Sequence, residues 1–150
     1  MLSLKQHIHQ QCLQVLADKV DRIQKYVAEL QAANSEDTKS SAGDKFETSR
    51  EMNKREIDKN NLLLRQLNQM KVLLRKCEPG KNQEEIVLGS LVKSNENLYY
   101  FSVPLGKVEF EGNSCFVLSL ASPLGKALLG KKAGESISFM NREIEILEVI

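Results

Sequence analysis

The chain has 150 residues, of which 41% are hydrophobic and 27% charged, a composition typical of a folded protein rather than a disordered one. Its 21 basic and 20 acidic residues leave a formal net charge of +1. This near balance excludes the strongly basic character of proteins that bind nucleic acid on their own, so we expect no independent DNA binding.

The cysteines and the N-terminal stretch indicate the compartment. Cys12, Cys77 and Cys115 are scattered and form no CxxC pair, which favours free thiols in a reducing environment over a disulfide framework. The stretch MLSLKQHIHQQCLQ has no apolar core long enough for a signal peptide, and no segment approaches the roughly 18 apolar residues of a membrane span. We therefore expect a cytoplasmic protein without a membrane partner.

Two long segments have the apolar spacing of amphipathic helices, mostly three and four residues. Their stripes are narrow, as in a coiled-coil seam. In residues 2–33 the stripe comprises Ile8, Cys12, Val15, Val20, Ile23, Val27 and Leu30; in the second segment it comprises Ile57, Leu63, Leu67, Met70 and Leu74. This pattern predicts an antiparallel helical hairpin over residues 1–78. His7 and His9 lie two apart, so a helix cannot aim both at one metal, and we interpret both as surface residues.

Polar and helix-breaking residues mark the ends of the two segments. NSEDTKSSAGDKF, residues 34–46, is dominated by turn-forming side chains and is the predicted hairpin tip. In CEPGKNQ, Pro79 and Gly80 cannot continue the second helix, which predicts a linker at 79–83.

Beyond the linker the apolar period changes from 3.6 to 2. Six short β-branched or aromatic segments are separated by Gly, Asn and Pro: EEIVLGSLVKSN, NLYYFSVPL, KVEFEG, SCFVLSLAS, ESISFM and EIEILEVI. SPLGKALLG is the exception, because Ser122 and Pro123 are typical of a helix start and Gly130 of a helix end. Residues 84–150 are thus predicted to form a small β-rich domain with one short helix, and the whole chain an α+β protein.

Two stretches of this domain resemble the C-terminal domain of the GreA/GreB transcription elongation factors. They are ASPLGKALLGKKAGESISF, with its Ser-Pro, Leu-x-Gly-Lys and Gly-Glu elements, and the closing REIEILEV. GDKFE, residues 43–47, resembles the Gly-Asp-x-x-Glu that this family carries at its hairpin tip, and the remaining hairpin matches in pattern. The resemblance implies an FKBP-like fold for residues 84–150.

The resemblance also implies a partner and a mechanism. Factors of this family bind bacterial RNA polymerase and insert the hairpin into its secondary channel. There the acidic tip helps to hold a Mg²⁺ shared with the polymerase, which cleaves backtracked RNA. Such a factor is not an enzyme, because it stimulates the nuclease activity of the polymerase. By motif match, Asp44 and Glu47 are the candidates that assist catalysis and hold the metal, only in complex with the polymerase.

Other positions are assigned partner contacts by the same resemblance. Arg55 on the second helix, with Lys39 or Lys45 in the tip, is expected to contact the nascent RNA 3′ end within the polymerase. Basic side chains there would offset repulsion between the acidic tip and RNA phosphates. Ser122 and Pro123 are expected to contact the polymerase at the channel rim.

Alternatives stay open for the tip. An Asp followed three residues later by Glu also suits a helix start, so Asp44 and Glu47 could serve as caps as well as metal ligands. The segment that follows, TSREMNKR, differs from the Asn-Ala-Glu-Tyr usual in the family, and Arg50 stands where an acid is expected. The alternative function is therefore a secondary-channel regulator of transcription without cleavage activity.

Overall fold

The computed structural model describes residues 3–37 and 44–150, and at 37 and 44–46 it describes the backbone. Within these residues two long helices precede a sheet domain. The helices are α1 (Leu4–Asp37) and α2 (Asp44–Lys76); then come β1 (Leu91–Ser94), β2 (Leu98–Phe101), β3 (Gly106–Phe110), β4 (Asn113–Leu118), α3 (Pro123–Leu128), β5 (Ser136–Phe139) and β6 (Arg142–Val149). The α+β class, the two long helices, all six strands and the short helix are confirmed.

The tip predicted at 34–46 is wrong at both ends, because α1 continues to Asp37 and α2 already begins at Asp44. Asn34 is held by the second helix: Asn53 Nδ2 donates to Asn34 Oδ1 at 3.1 Å, and Asn34 Nδ2 donates to the Arg50 carbonyl at 3.4 Å. Turn propensity is a weak preference, and these hydrogen bonds between the helices outweigh it. Residues 38–43, including Lys39, lie outside the described residues.

The contacts of the chain define two compact units. The first comprises Met1–Gln14 with Met70–Ile150, and the second comprises Val15–Gln69. The first unit thus joins the sheet to the start of α1 and the end of α2. The predicted linker at 79–83 lies inside this unit, and an independent division of the chain there stays a prediction.

In the second unit the helices share a narrow buried seam, as the spacing predicts. Val27 is buried and Ile23, Leu30 and Ile57 are half-buried. The expected position of Leu63 is wrong, since Leu63 is 38% exposed and the neighbouring Leu64 is half-buried instead.

The reason for this shift is a buried asparagine in the seam. Asn60 is 7% exposed, and its Nδ2 donates to the Glu56 carbonyl at 2.7 Å and to Glu56 Oε1 at 3.3 Å. Because its amide finds partners one turn back on its own helix, Asn60 can be buried at little cost. The sequence pattern treats asparagine as a surface residue and so selects the wrong leucine.

The first unit is built on a mixed sheet with the strand order β3-β4-β2-β1-β6-β5. β2 and β4 run parallel, with Tyr99 opposite Phe116, and the other neighbours are antiparallel. One sheet face forms the main apolar core together with α3; its buried members are Ile86, Val92, Tyr99, Phe101, Leu128 and Ile146. The opposite face carries Tyr100 and Cys115, which meet the start of α1 and the residue that follows α2.

Two buried serines of the first unit give a matched stability test. Ser102 is 1% exposed, and within the described residues its Oγ has no hydrogen-bond partner. Ser90 is fully buried, but its Oγ accepts from Val87 N at 2.9 Å and donates to the Glu85 carbonyl at 3.3 Å. We expect Ser102→Ala to raise the free energy of unfolding by about 1 kcal/mol, because it removes an unsatisfied buried hydroxyl. Ser90→Ala should lower it by about 1 kcal/mol or more, because it orphans the Val87 amide.

Urea unfolding followed by circular dichroism measures both changes. A Ser102→Ala protein that is less stable than the wild type would contradict the prediction and would indicate a partner for Ser102 Oγ.

Candidate functional site

The candidate site is the first part of α2, which begins at Asp44 and carries charged side chains along one face. Glu47, Glu51 and Arg55 follow at intervals of four residues, so they lie on one stripe of the helix. All three are exposed. The backbone thus places the acidic positions 44 and 47 in the first helical turn, where the helix dipole favours negative charge.

The structure describes the side chains of some predicted site residues and not of others. Glu47 and Arg55 are described with their side chains, whereas the side chains of Asp44 and Lys45 lie outside the description, as does all of Lys39. Positions 44 and 47 are brought to one face by the helix itself. The assignments of Asp44 and Glu47 to a metal, and of the three basic residues to RNA, stay predictions.

Arg55 is available for a ligand because its present partner is weak. Its Nη2 lies 3.0 Å from Glu51 Oε1, with side chains 77% and 66% exposed respectively. An exposed pair of this kind on one helix contributes only about 0.3–0.5 kcal/mol. Arg55 also stands eight residues beyond Glu47, or roughly 12 Å along the helix axis.

The residue types at the acidic start of α2 are compatible with Mg²⁺ binding. Mg²⁺ accepts one or two protein carboxylates alongside waters and phosphate oxygens, and positions 44 and 47 offer that donor set. Among the described residues, no group of three or more His, Cys, Asp or Glu side chains is placed to hold a metal.

Ser122 and Pro123 start α3 as predicted. Ser122 Oγ accepts from Gly125 N at 3.0 Å and donates to the Ser119 carbonyl at 2.6 Å, which makes it the N-cap. Pro123 follows at the first helical position and is exposed. The hydroxyl of Ser122 is thus used within the fold, and the exposed ring of Pro123 is the part of this pair that is open to a partner.

A buried polar cluster at the base of the helices was missed by the sequence analysis. His9, interpreted above as a surface residue, is 8% exposed, and a hydrogen bond of 2.8 Å joins its Nδ1 to the Tyr100 hydroxyl. Lys5 is 1% exposed, and its Nζ donates to the carbonyls of Lys81 at 2.8 Å and Ile150 at 3.0 Å. Partners so distant in sequence leave no local signal.

The three cysteines lie in the same buried region as His9 and Tyr100, and their burial makes the thiols unreactive. Cys12, Cys77 and Cys115 are buried and free, as expected. Burial raises the pKa of Cys12 and of Cys115 to about 12, and it raises the pKa of Cys77 as well. Since the thiolate is the reactive form, these three side chains serve packing.

The neutral state of His9 makes the fold sensitive to acid. Burial, and secondly the Lys5 ammonium, lower the pKa of His9 below its usual 6.5. The unfolded chain therefore binds a proton near pH 6.5 that the folded chain accepts only at lower pH. The stability contribution is complete above pH 6.5 and is lost as the pH falls below it, by at most about 1.4 kcal/mol per pH unit.

Urea titrations between about pH 7.5 and 5.5 test this expectation, above the range in which most carboxylates titrate. His9→Gln should flatten the stability profile. A slope that persists undiminished in His9→Gln would be contrary to the prediction.

Together, the fold and the site define an α+β protein in which a helical hairpin carries exposed charged residues near its tip. Within the described residues, neither α1 nor any other helix has the length and apolar character to cross a membrane.

Comparison with known proteins finds similar solved structures, among them two of the transcription factor Gfh1. No protein-family model matches the chain, and no curated protein matches it. The crystal structure of GreA factor homolog 1 (Gfh1) of Thermus thermophilus is 23% identical, over 91% of this chain and 93% of that one, with a TM-score of 0.37. A structure of the transcription factor Gfh1 is 24% identical over 91% of both chains, with a TM-score of 0.35. At these values the likeness carries no conclusion about activity.

Proposed function

We propose that this protein is a transcription elongation factor that binds bacterial RNA polymerase and stimulates Mg²⁺-dependent cleavage of backtracked RNA by the polymerase. The observation that carries the proposal is the position of GDKFE, whose Asp44 begins α2 and whose Glu47 is exposed one turn later. The described part of the motif that resembles the family tip thus lies in the first turn of α2.

The two helices of the hairpin are long enough for the proposed role. Within Val15–Gln69, each helix contributes roughly 25 residues, or about 35–40 Å at 1.5 Å per residue. Its exposed surface is largely polar, and its buried seam is narrow. Such an arm suits insertion into a water-filled channel, which is the role we propose for it in the secondary channel of the polymerase.

The acidic residues would act by completing a metal site. Asp44 and Glu47 would add carboxylate ligands to an ion that the polymerase and the RNA phosphates hold in part. The chemistry that bound Mg²⁺ supplies is activation of water and stabilisation of the leaving oxygen. In this proposal the chain contributes ligands and position but no independent activity, so the protein is not an enzyme.

The basic residues would hold the RNA. Arg55 lies on the same helical stripe as Glu47, and its weak pair with Glu51 can be exchanged for an RNA phosphate at little cost. Lys39 and Lys45 are proposed to assist from the tip. At the other end of the chain, we propose that exposed Pro123, positioned by the Ser122 cap, contacts the polymerase at the channel rim.

A second function is favoured by one feature of the sequence. Arg50 and the rest of TSREMNKR depart from the family pattern directly beside the acidic pair. A protein with this tip could occupy the channel and regulate transcription without stimulating cleavage. In this alternative the protein still binds RNA polymerase through the hairpin, but Asp44 and Glu47 hold no metal.

Backtracked polymerase complexes with end-labelled RNA separate these functions. Purified protein and Mg²⁺ are added, RNA length is followed, and retention on core polymerase is measured in parallel. Shortened RNA together with retention supports the cleavage factor. Retention with unchanged RNA supports the regulator, and a protein that core polymerase does not retain at moderate salt would rule out both functions.

A further inference from the structure

The edge strand β3 carries a charge pattern that is complementary to itself. In the described sheet, β3 has a hydrogen-bonded neighbour on one side only, because it stands at the end of the order β3-β4-β2-β1-β6-β5. Lys107 and Glu109 are exposed on this strand, and Val108 between them is 4% exposed. An unpaired edge offers main-chain donors and acceptors to a further strand.

The register between β3 and β4 shows which residues of β3 have unpaired main-chain N–H and C=O groups. Glu111 and Gly112 have φ angles of 45° and 78°, so they form a two-residue turn closed by the pair Phe110 and Asn113. Hydrogen-bonded pairs then recur at every second residue, at Val108 with Cys115 and at Gly106 with Val117. The N–H and C=O groups of Lys107 and Glu109 therefore point away from β4.

Hydrogen bonds on β4 confirm this alternation independently. The Leu118 carbonyl accepts from Ser102 N at 2.8 Å, at the end of the neighbouring β2, so this residue bonds toward β2. The Val117 carbonyl accepts from Leu105 N at 3.2 Å, on the β3 side. Ser114 and Phe116 alternate with Val117 and therefore direct their main-chain groups toward β2, as Leu118 does. Their partners in the register, Glu109 and Lys107, thus receive no hydrogen bond from β4 and present their own N–H and C=O groups at the outer edge of β3.

We propose that β3 pairs with β3 of a second copy of this chain, antiparallel and about an axis at Val108. In this register Lys107 of each copy lies opposite Glu109 of the other. The two opposed pairs exchange four main-chain hydrogen bonds, because both residues present their N–H and C=O outward. Their side chains lie on the same exposed face, and two Lys–Glu ion pairs form across the strands.

Charge complementarity favours a second copy of this chain over an unrelated strand as the partner of β3. In the single chain, Lys107 Nζ lies 3.9 Å from Glu109 Oε1 on the same strand, with side chains 56% and 76% exposed, so neither charge is strongly engaged. An unrelated strand would match this alternation only by chance, whereas a second copy matches it by symmetry.

The other sheet edge lacks these features. β5 consists of Ser136, Ile137, Ser138 and Phe139, which carry no charge, and α3 packs against it. Self-pairing of β5 would place no ion pair across the contact. The β3 edge is therefore the one that specifies a partner.

Sedimentation equilibrium of the full chain at low salt, up to about 1 mM protein, tests the proposal. The wild type should show a monomer–dimer equilibrium. Lys107→Glu and Glu109→Lys should each weaken self-association by about tenfold or more, because each places like charges opposite one another. An equimolar mixture of these two variants should associate at least as tightly as the wild type, since every opposed pair is then Lys with Glu.

Two further variants control the test. The double reversal Lys107→Glu with Glu109→Lys in one chain should restore the homodimer, and Ser138→Lys on β5 should leave association unchanged. The proposal is overturned if the wild type and the mixture stay monomeric at about 1 mM. It is equally overturned if self-association persists in Lys107→Glu or is lost in Ser138→Lys.

Discussion

Replacement of Asp44 and Glu47 by alanine together is expected to abolish stimulated RNA cleavage while leaving retention on RNA polymerase nearly unchanged. In the proposed mechanism the two carboxylates complete a metal site and make no contact that holds the complex. Removal of a group that stabilises developing charge typically costs about 10²-fold or more in rate. Initial cleavage rates in backtracked complexes, measured beside retention on core polymerase, give both quantities.

A second variant separates the metal role from the helix start. Asp44→Ser with Glu47→Gln keeps the Ser-x-x-Gln pattern of a capping box but removes both carboxylates. We expect it to be as inactive in cleavage as the double alanine variant while its helix content equals that of the wild type. Cleavage that persists in the Ser/Gln protein would show that the pair acts only as a cap.

The matched acidic control is Glu36→Ala, at an exposed position in the last turn of α1. It removes a carboxylate of the same hairpin outside the GDKFE motif. Cleavage should be retained in this variant. Loss of cleavage there as well would indicate a general need for negative charge in place of a metal site at positions 44 and 47.

Gly125→Ala is expected to be the most destabilising single substitution considered, lowering the free energy of unfolding by about 3 kcal/mol or more. Gly125 is buried in α3, where an added Cβ would lie 2.6 Å from Leu120 Cα and 2.8 Å from Leu120 C, with the Ser119 carbonyl oxygen closer still. These are backbone atoms and cannot move aside cheaply. In an open helix, alanine would instead be favoured over glycine by about 1 kcal/mol.

Gly80→Ala is the matched control in the same unit, because its nearest neighbour would be Gln6 Nε2 at 3.4 Å. It should change stability by less than about 1 kcal/mol. Urea unfolding monitored by circular dichroism compares the two variants. Equal stabilities would contradict the close approach of α3 to the Ser119–Leu120 backbone. Since Gly125 N also donates to the Ser122 cap, displacement of α3 would move Pro123 as well.

The elements themselves were predictable because their signals are local. The three-and-four spacing of α1 and α2, the alternation in the six strands and the Ser122-Pro123 start of α3 all depend on residues within a few positions of one another. Turn chemistry between the strands is equally short in range. The acidic positions of the candidate site belong to this class too, because their common face follows from the helical repeat.

Other features depend on partners far along the chain. Lys5 is buried because carbonyl groups 76 and 145 residues away accept from its ammonium, and His9 because the hydroxyl of Tyr100, 91 residues away, bonds its ring. Asn60 occupies the seam where the pattern favoured Leu63, and Asn34 keeps α1 helical where composition favoured a turn. Which strand lies at an exposed edge likewise follows from the strand order.

Residue periodicity thus specifies helices, strands and their apolar faces, since it reports how each segment contacts water. Periodicity does not predict whether a polar side chain is buried, because burial of such a side chain depends on a hydrogen-bond donor or acceptor that the fold brings close. The alternation Lys107-Val108-Glu109 illustrates both levels: the sequence shows a strand with opposite charges two residues apart, and the sheet order places that strand at an edge where a second copy can meet it.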